Sequence, residues 1–292
     1  MTTLRYRLFE CLLKISGAGR TIEKGLKRGN IPSENVPSGL RSRWSETQFQ
    51  GRAVFTCAPV GHDRGRVYVH QHGGGYVVGL IGLHFAMFTK LADMAGVTII
   101  LPDYPLPPEA TADDVIDWGV AHYDTILAKY GAEKVMLGGD SAGGNLALAI
   151  SQKRAVETPL LLLSPWVDVF PTDLPDDTPN AEILLDAAIL KVAGKRYAGS
   201  HDPKSPLISP IFAKPEDLPE VMIFTGEKDL LFAQISKFAA QMDAVGKLAK
   251  LATYGEFGHY WMFYPTPDRD STLVELAAII ANGRPPETHS YR

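Results

Sequence analysis

The sequence predicts an α/β fold, a mostly parallel central sheet flanked by helices. Short apolar runs alternate with amphipathic helical stretches along the 292 residues. Two runs, 159–163 and 220–225, are almost wholly apolar, which is typical of strands buried on both faces of a parallel sheet. A hydrophobic content of 45% in a chain this long is enough to bury one large core. We therefore expect a single domain over residues 1–292.

Seven strands are predicted from the apolar runs and the turn residues between them. They cover 50–58, 65–71, 97–101, 133–138, 159–163, 220–225 and 248–253. A short polar turn at 61–65 joins the first two, so the sheet is expected to begin with an antiparallel pair. The last strand is expected at an edge of the sheet, where it offers a contact for a homodimer.

Helices are predicted where apolar residues recur at helical spacing. Such stripes mark core-facing helices over 113–130, 233–245 and 271–282. Thr111 and Asp114 have the spacing of a capping box at the start of the first of these helices.

Two segments do not follow the alternation of strands and helices, and we predict that they form cap elements over the sheet. Residues 1–46 contain a helix with Leu4, Leu8, Leu12 and Ile15 on one face. Residues 170–208 contain a loop rich in proline and aspartate, followed by a helix at about 181–198.

Composition and charge exclude several classes of function. A net charge of −4 with scattered basic residues does not predict nucleic-acid binding. The longest apolar runs are too short to span a membrane, and charged residues interrupt the N-terminal apolar segment where a signal peptide needs continuity. Cys11 and Cys57 are expected to be free thiols, and the protein is expected to be cytoplasmic.

The main catalytic candidate is Ser141, in a G-x-S-x-G motif between a predicted strand and a predicted helix. This is the context of a nucleophile elbow, in which a strained turn exposes the serine hydroxyl. Gly143 and Gly144 allow the helix to pack closely, and Asp140 precedes the serine as a supporting residue. The N-terminus of the following helix favours a developing negative charge.

The His72-Gly73-Gly74-Gly75 run supplies the second half of the predicted site. Backbone N–H groups of Gly74, Gly75 and Ala142 are expected to form an oxyanion hole, with His72 and Gly73 shaping the loop. A dinucleotide motif would need glycine where Val78 stands, and the ending of a P-loop is absent. His70 and His72 have the spacing of metal ligands without a third ligand nearby in sequence, so no metal is predicted.

A serine nucleophile needs a base and an acid, and the sequence offers one strong candidate for each. His259 lies in a loop after the last strand, between glycine and aromatic residues. Asp229 follows the strand at 220–225 and gives the chain order serine, acid, histidine. Asp168, which also follows a strand, is the second candidate for the acid and otherwise structural.

Over roughly residues 60–265 these motifs resemble the hormone-sensitive-lipase family, in its bacterial esterase branch. The motifs are HGGG at 72–75, GDSAG at 139–143 and the aspartate setting at 226–231. The resemblance implies an α/β-hydrolase fold with a helical cap, and carboxylesterase activity on short to medium acyl chains without a cofactor. Residues 103–109 read DYPLPPE where the family commonly has DYRLAPE, and Ala233-Gln234 replaces an acidic pair.

The leading hypothesis is therefore a serine carboxylesterase acting on a small-molecule ester. A lactone hydrolase with the same residues is the first alternative, and a non-catalytic small-ligand receptor on the same fold is the second. Four apolar residues either line the substrate pocket or pack in the core: Phe85, Trp166, Trp261 and Phe263.

Overall fold

A computed structural model describes residues 4–16, 20–171 and 184–285. Within these ranges the central sheet has eight strands: β1 (Ser45–Phe49), β2 (Arg52–Cys57), β3 (Val67–Gln71), β4 (Thr98–Pro102), β5 (Val135–Asp140), β6 (Leu160–Leu163), β7 (Val221–Gly226) and β8 (Leu248–Tyr254). Their order in the sheet is β1-β2-β4-β3-β5-β6-β7-β8. The first two pairings are antiparallel and the other five are parallel. The predicted α/β-hydrolase fold is confirmed.

The start of the sheet corrects one prediction. The strand at 50–58 does not pair with the strand at 65–71, because β2 lies between β1 and β4. The antiparallel hairpin is instead β1–β2, closed by Gln50 and Gly51 with φ angles of 45° and 75°. Two positive φ angles in a two-residue loop match the right-handed twist of a hairpin. Residues 45 and 46, which fall in the predicted cap segment 1–46, therefore belong to the sheet.

The described helices are α1 (Leu4–Ser16), α2 (Thr21–Arg28), α3 (Gly82–Ala95), α4 (Ala112–Tyr130), α5 (Ala142–Lys153), α6 (Ala187–Ala198), α7 (Phe232–Ala244) and α8 (Pro267–Asn282). The three predicted core helices are confirmed as α4, α7 and α8. The capping box of α4 is also present, because the Asp114 N–H donates to Thr111 Oγ1 and the Thr111 N–H donates to Asp114 Oδ2. Within the described ranges, no helix combines the length and the apolar character needed to span a membrane.

The core has two layers, one on each face of the sheet. Leu160 and Leu162 of β6 contribute to the layer that includes α4, α5 and α7. Leu161 and Leu163 point to the opposite layer, which includes α3 and α8. This alternation along a wholly apolar strand is expected for a strand with helices on both faces.

The predicted cap elements hold α1, α2 and α6, and α2 contacts α6. Helix α1 forms as predicted, but its leucine stripe is not the packed face. Leu4, Leu8 and Leu12 are 73%, 57% and 62% exposed, whereas Tyr6 is buried against the Phe257 ring. Aromatic contacts of Tyr6 and Phe9, rather than these three leucines, hold α1 to the body. The Ile15 side chain and the segment 172–183 lie outside what the structure describes, and the division into sheet domain and cap stays a prediction.

Candidate active site

Ser141 occupies a tight turn between β5 and α5. Its φ and ψ angles are 50° and −118°, a strained conformation for a residue with a side chain. The turn is fixed because the Ser141 N–H donates to Leu163 O at 3.0 Å and Ser141 O accepts from the Trp166 N–H at 2.9 Å. A Cβ on Gly143 would collide with Gln71 O, so the helix can begin this close to β3 only with glycine there.

His259 and Asp229 form a buried hydrogen-bonded pair. His259 Nδ1 lies 2.8 Å from Asp229 Oδ2, and both side chains are fully buried. The other carboxylate oxygen, Asp229 Oδ1, accepts from the Leu231 N–H at 2.9 Å, which fixes the carboxylate beyond the end of β7. With Nδ1 donating to the carboxylate, Nε2 is the ring nitrogen suited to act as a base. His259 and Ser141 line the same cavity.

Asp168 has a different environment. Its Oδ1 accepts from the Phe170 N–H at 3.0 Å, and its own N–H donates to Gln234 Oε1 at 2.7 Å. Gln234 Oε1 also accepts from the Val167 N–H. Gln234, at a position where the family often has an acid, thus anchors the loop after β6. Asp229 is the aspartate that the structure brings to His259.

The glycine loop after β3 lines the cavity beside Ser141. Gly74 and Gly75 have φ angles of +116° and +62°, and Gly74 O accepts from two N–H groups further along the turn. A Cβ on Gly73 would overlap the Tyr260 hydroxyl and the Asp140 carboxylate. Ala142 is the first residue of α5, so its N–H has no acceptor within the helix. This arrangement can present backbone N–H groups to an anion.

Tyr104 contacts the first residue of the glycine loop, His72, through its hydroxyl group and its ring. Its hydroxyl donates to His72 O at 2.5 Å, and its ring stacks on the His72 ring with centroids 4.2 Å apart. His72 Nδ1 in turn lies 2.7 Å from Gly73 O. Burial lowers the pKa of His72 to about 4, so the ring is neutral at pH 7. Arg52 of β2 donates to the backbone and side chain of Asp103, where the 103–109 segment lacks the family's arginine.

Asp140 lies in a buried cluster that the sequence analysis did not predict. Its Oδ1 is 2.8 Å from His70 Nε2 and 3.6 Å from His84 Nε2, and the Tyr68 hydroxyl lies 2.8 Å from His70 Nδ1. Burial alone would raise the pKa of Asp140, but the two histidines outweigh it and hold that pKa well below its usual range. The Tyr260 hydroxyl also lies against this carboxylate. His70 therefore binds an aspartate here, and within the described ranges no three-residue cluster of metal-ligand type occurs.

The cavity above Ser141 has a volume of about 470 Å³. Its wall combines the glycine loop, the start of α3, the His259 loop and parts of the predicted cap. The lining residues are Thr21, Ile22, Glu34, Gly73, Gly74, Gly75, Val78, Gly79, Ile81, Gly82, Leu83, His84, Ser141, Leu184, Leu185, Leu190, His259, Tyr260 and Tyr264. The four apolar residues left open by the sequence are absent from this wall and are all buried in the core.

Comparisons with known proteins support the fold and identify the family. A family described as having the alpha/beta hydrolase fold matches residues 68–263. An acetyl-hydrolase of Streptomyces hygroscopicus is 32% identical over 221 residues, covering 73% of this chain and 74% of that protein. A crystal structure of a hormone-sensitive lipase from a metagenome library superposes with a TM-score of 0.78 at 26% identity, covering 96% and 99% of the two chains. Mouse hormone-sensitive lipase is 38% identical over 94 residues, which are 30% of this chain and 12% of that protein.

The chain therefore belongs to the α/β-hydrolase family, in the group that contains hormone-sensitive lipase and its bacterial homologues. The resemblance expected from the HGGG and GDSAG motifs is confirmed.

Proposed function

We propose that this carboxylic ester hydrolase is a serine carboxylesterase in which Ser141 is the nucleophile, His259 the base and Asp229 the acid. The observation that carries the proposal is the Asp229–His259 hydrogen bond of 2.8 Å at the wall of the cavity into which the Ser141 turn and the glycine loop also open. Serine is a weak nucleophile until a neighbouring base takes its proton.

In the first half of the reaction, Ser141 Oγ attacks the carbonyl carbon of the ester and its proton passes to His259 Nε2. The carbonyl π electrons move onto oxygen, and the N–H groups of Gly74, Gly75 and Ala142 stabilise that charge. Each such donor is worth about 3 kcal/mol in the barrier. The Asp229 carboxylate stabilises the imidazolium that forms.

Collapse of this intermediate breaks the bond to the alcohol oxygen, which leaves with the proton from His259. An acyl-Ser141 ester remains. A water molecule then gives a proton to His259 and attacks the acyl carbon, and Ser141 Oγ leaves and recovers the proton. The products are one alcohol and one carboxylic acid, and the residues return to their starting state.

The size and the apolar wall of the cavity support a preference for short to medium acyl chains. Each methylene group buried there contributes about 0.8 kcal/mol until the space is filled. A series of p-nitrophenyl esters from acetate to palmitate is expected to give kcat/KM values that rise and then fall. Lactones of matched size belong in the same series, because a lactone optimum would favour lactone hydrolysis.

The decisive variant is Ser141→Ala, assayed with p-nitrophenyl butyrate. We expect kcat to fall by about 10⁴-fold or more, because loss of a serine nucleophile removes the covalent route. Ser151→Ala is the matched control, since Ser151 is another buried serine, within α5, whose hydroxyl donates to Leu148 O. Hydrolysis by Ser141→Ala at the wild-type rate would contradict the mechanism. A non-catalytic receptor would leave even the wild type without turnover.

Two further expectations stay predictions, a cytoplasmic location and a homodimer. The dimer is supported by β8, which, like β1 at the other edge, has a neighbour on one side only among the described strands. Its exposed Leu251 is 42% accessible to solvent. Sedimentation velocity of wild type and Leu251→Lys would test this contact, with a shift from dimer to monomer expected for the variant.

A further inference from the structure

The cavity wall is uneven in charge. Among the described residues that line it, Glu34 is the only carboxylate, and neither lysine nor arginine occurs. The rest of the wall is glycine, aliphatic side chains, two histidines, Ser141, Thr21 and the rings of Tyr260 and Tyr264. A substrate in this cavity therefore meets one negative charge and aromatic rings, both of which attract cations.

Glu34 is held in place at the open end of the cavity. Its Oε2 accepts from the Gly82 N–H at 2.7 Å, and its own N–H donates to Leu80 O at 2.7 Å. Glu34 is exposed, whereas Ser141 is only 4% exposed. The carboxylate therefore lies at the mouth and the serine at the bottom.

We infer that Glu34 determines substrate specificity by favouring esters that carry a cationic group near the cavity mouth. This inference rests on the proposed function, since it concerns the same site. A purely structural role is the competing explanation, because a carboxylate at the first residue of α3 also caps that helix. Capping would affect all substrates alike, whereas a specificity role depends on the charge of the substrate.

Pairs of esters with the same shape and different charge separate the two roles. On the alcohol side, butyrylcholine is compared with 3,3-dimethylbutyl butyrate. On the acyl side, the p-nitrophenyl ester of 4-(trimethylammonio)butanoate is compared with that of 5,5-dimethylhexanoate. In each pair a quaternary nitrogen replaces a quaternary carbon, so the ratio of the two kcat/KM values reports charge and not size.

Glu34→Gln keeps the shape of the side chain and an oxygen for the Gly82 N–H. We expect it to lower the cation-to-neutral ratio about threefold to fivefold in at least one pair at low ionic strength, the size of effect found for partly exposed charge pairs. Glu46→Gln on β1 is the control, because it removes the same charge from an exposed glutamate that is absent from the cavity wall. It should leave both ratios unchanged.

Salt provides a second readout that needs no variant. Raising ionic strength from about 0.02 M to about 0.5 M shortens the screening length severalfold, so the wild-type ratio should fall. The inference would be overturned if Glu34→Gln left the cation-to-neutral kcat/KM ratio unchanged in both pairs while neutral esters were still hydrolysed. The proposed function would then remain intact. If Glu34→Gln does not fold, a salt-independent wild-type ratio would overturn the inference instead. Failure of the wild type to hydrolyse the four esters and p-nitrophenyl butyrate would refute both.

Discussion

The floor of the cavity and its cap are built differently. The floor consists of residues 70–75, 139–145 and 226–231 at the ends of parallel strands, where buried polar side chains bond to one another and to backbone groups. Of the predicted cap, residues 1–46 and 170–208, the structure describes 4–16, 20–46, 170–171 and 184–208, and it leaves Leu4, Leu8 and Leu12 exposed on α1. The contrast suggests that the floor fixes the chemistry and the cap selects the substrate. Changes in the floor should then lower kcat, and changes in the cap should alter selectivity.

After loss of the nucleophile, the largest fall in kcat is expected for Asp229→Asn. The amide cannot stabilise an imidazolium and favours the wrong tautomer of His259, so kcat should fall by about 10⁴-fold with KM little changed. Asp168→Asn is the matched control and should cost less than about tenfold, since its amide oxygen can still accept from the Phe170 N–H in the loop after β6. Steady-state kinetics on p-nitrophenyl butyrate measures both. A larger loss for Asp168→Asn would reverse the assignment of the acid.

Gly73→Ala tests the tight packing of the floor. The added methyl group would meet the Asp140 carboxylate and the Tyr260 hydroxyl, so the glycine loop must shift and misplace its N–H groups. We expect kcat to fall about 10²-fold, the loss typical of one oxyanion donor. Gly39→Ala is the control, because no atom lies within 4 Å of a Cβ there. Equal kcat values for the two variants would show that the loop tolerates displacement.

Sequence reasoning was most informative for the floor, for a physical reason. Runs such as Leu160–Leu163 are buried on both faces, so their composition alone identifies them as strands. The exposed β1, with sequence SETQF, carries almost no apolar signal, although the Gln50–Gly51 turn beside it was a usable hairpin signal. The partner of β2 could not be deduced, because strand pairing across a crossover is not encoded locally.

In the active site, too, the sequence predicts some residues and not others. The motif residues lie next to strand ends, where chain order predicts that they meet. The Asp140 cluster joins four separated segments, and only the alternation of Tyr68 and His70 on one face of β3 hinted at it. Cap residues such as Glu34 reach the cavity through tertiary packing alone, so no spacing in the sequence marks them.

The burial of two histidines predicts how the free energy of unfolding depends on pH. Burial lowers the pKa of His72 and of His122 to about 4, below the ordinary value of about 6.5. Between these values the unfolded chain binds protons that the folded chain does not, so the free energy of unfolding should fall as pH drops from about 6.5 to about 4. Each histidine should contribute on the order of 2 kcal/mol to this loss.

His122→Phe keeps an aromatic ring against Trp118 and removes one buried titrating group. Urea unfolding at about pH 7 and about pH 4.5 should show a smaller loss of stability on acidification for the variant than for wild type. An identical loss in the two proteins would mean that His122 is not buried in its neutral form.

The smallest change in the free energy of unfolding is expected for a substitution on the exposed face of α1. Leu8→Gln should change the free energy of unfolding by less than about 0.5 kcal/mol, because the side chain makes little contact with the body. Tyr6→Ala, on the buried face of the same helix, should cost about 3 kcal/mol. Urea unfolding of both variants compares the two faces directly. A large loss for Leu8→Gln would show that the leucine stripe is covered in solution.

The most direct test of the catalytic assignment is covalent capture of the nucleophile. Incubation with an alkyl phosphonate carrying a p-nitrophenyl leaving group, followed by peptide mass spectrometry, should place one phosphonyl group per chain on Ser141. Labelling should be lost in Ser141→Ala and slowed at least about 10²-fold in His259→Ala, where the base is missing. A wild-type protein that stays unlabelled, or a label carried by any other residue, would contradict the account.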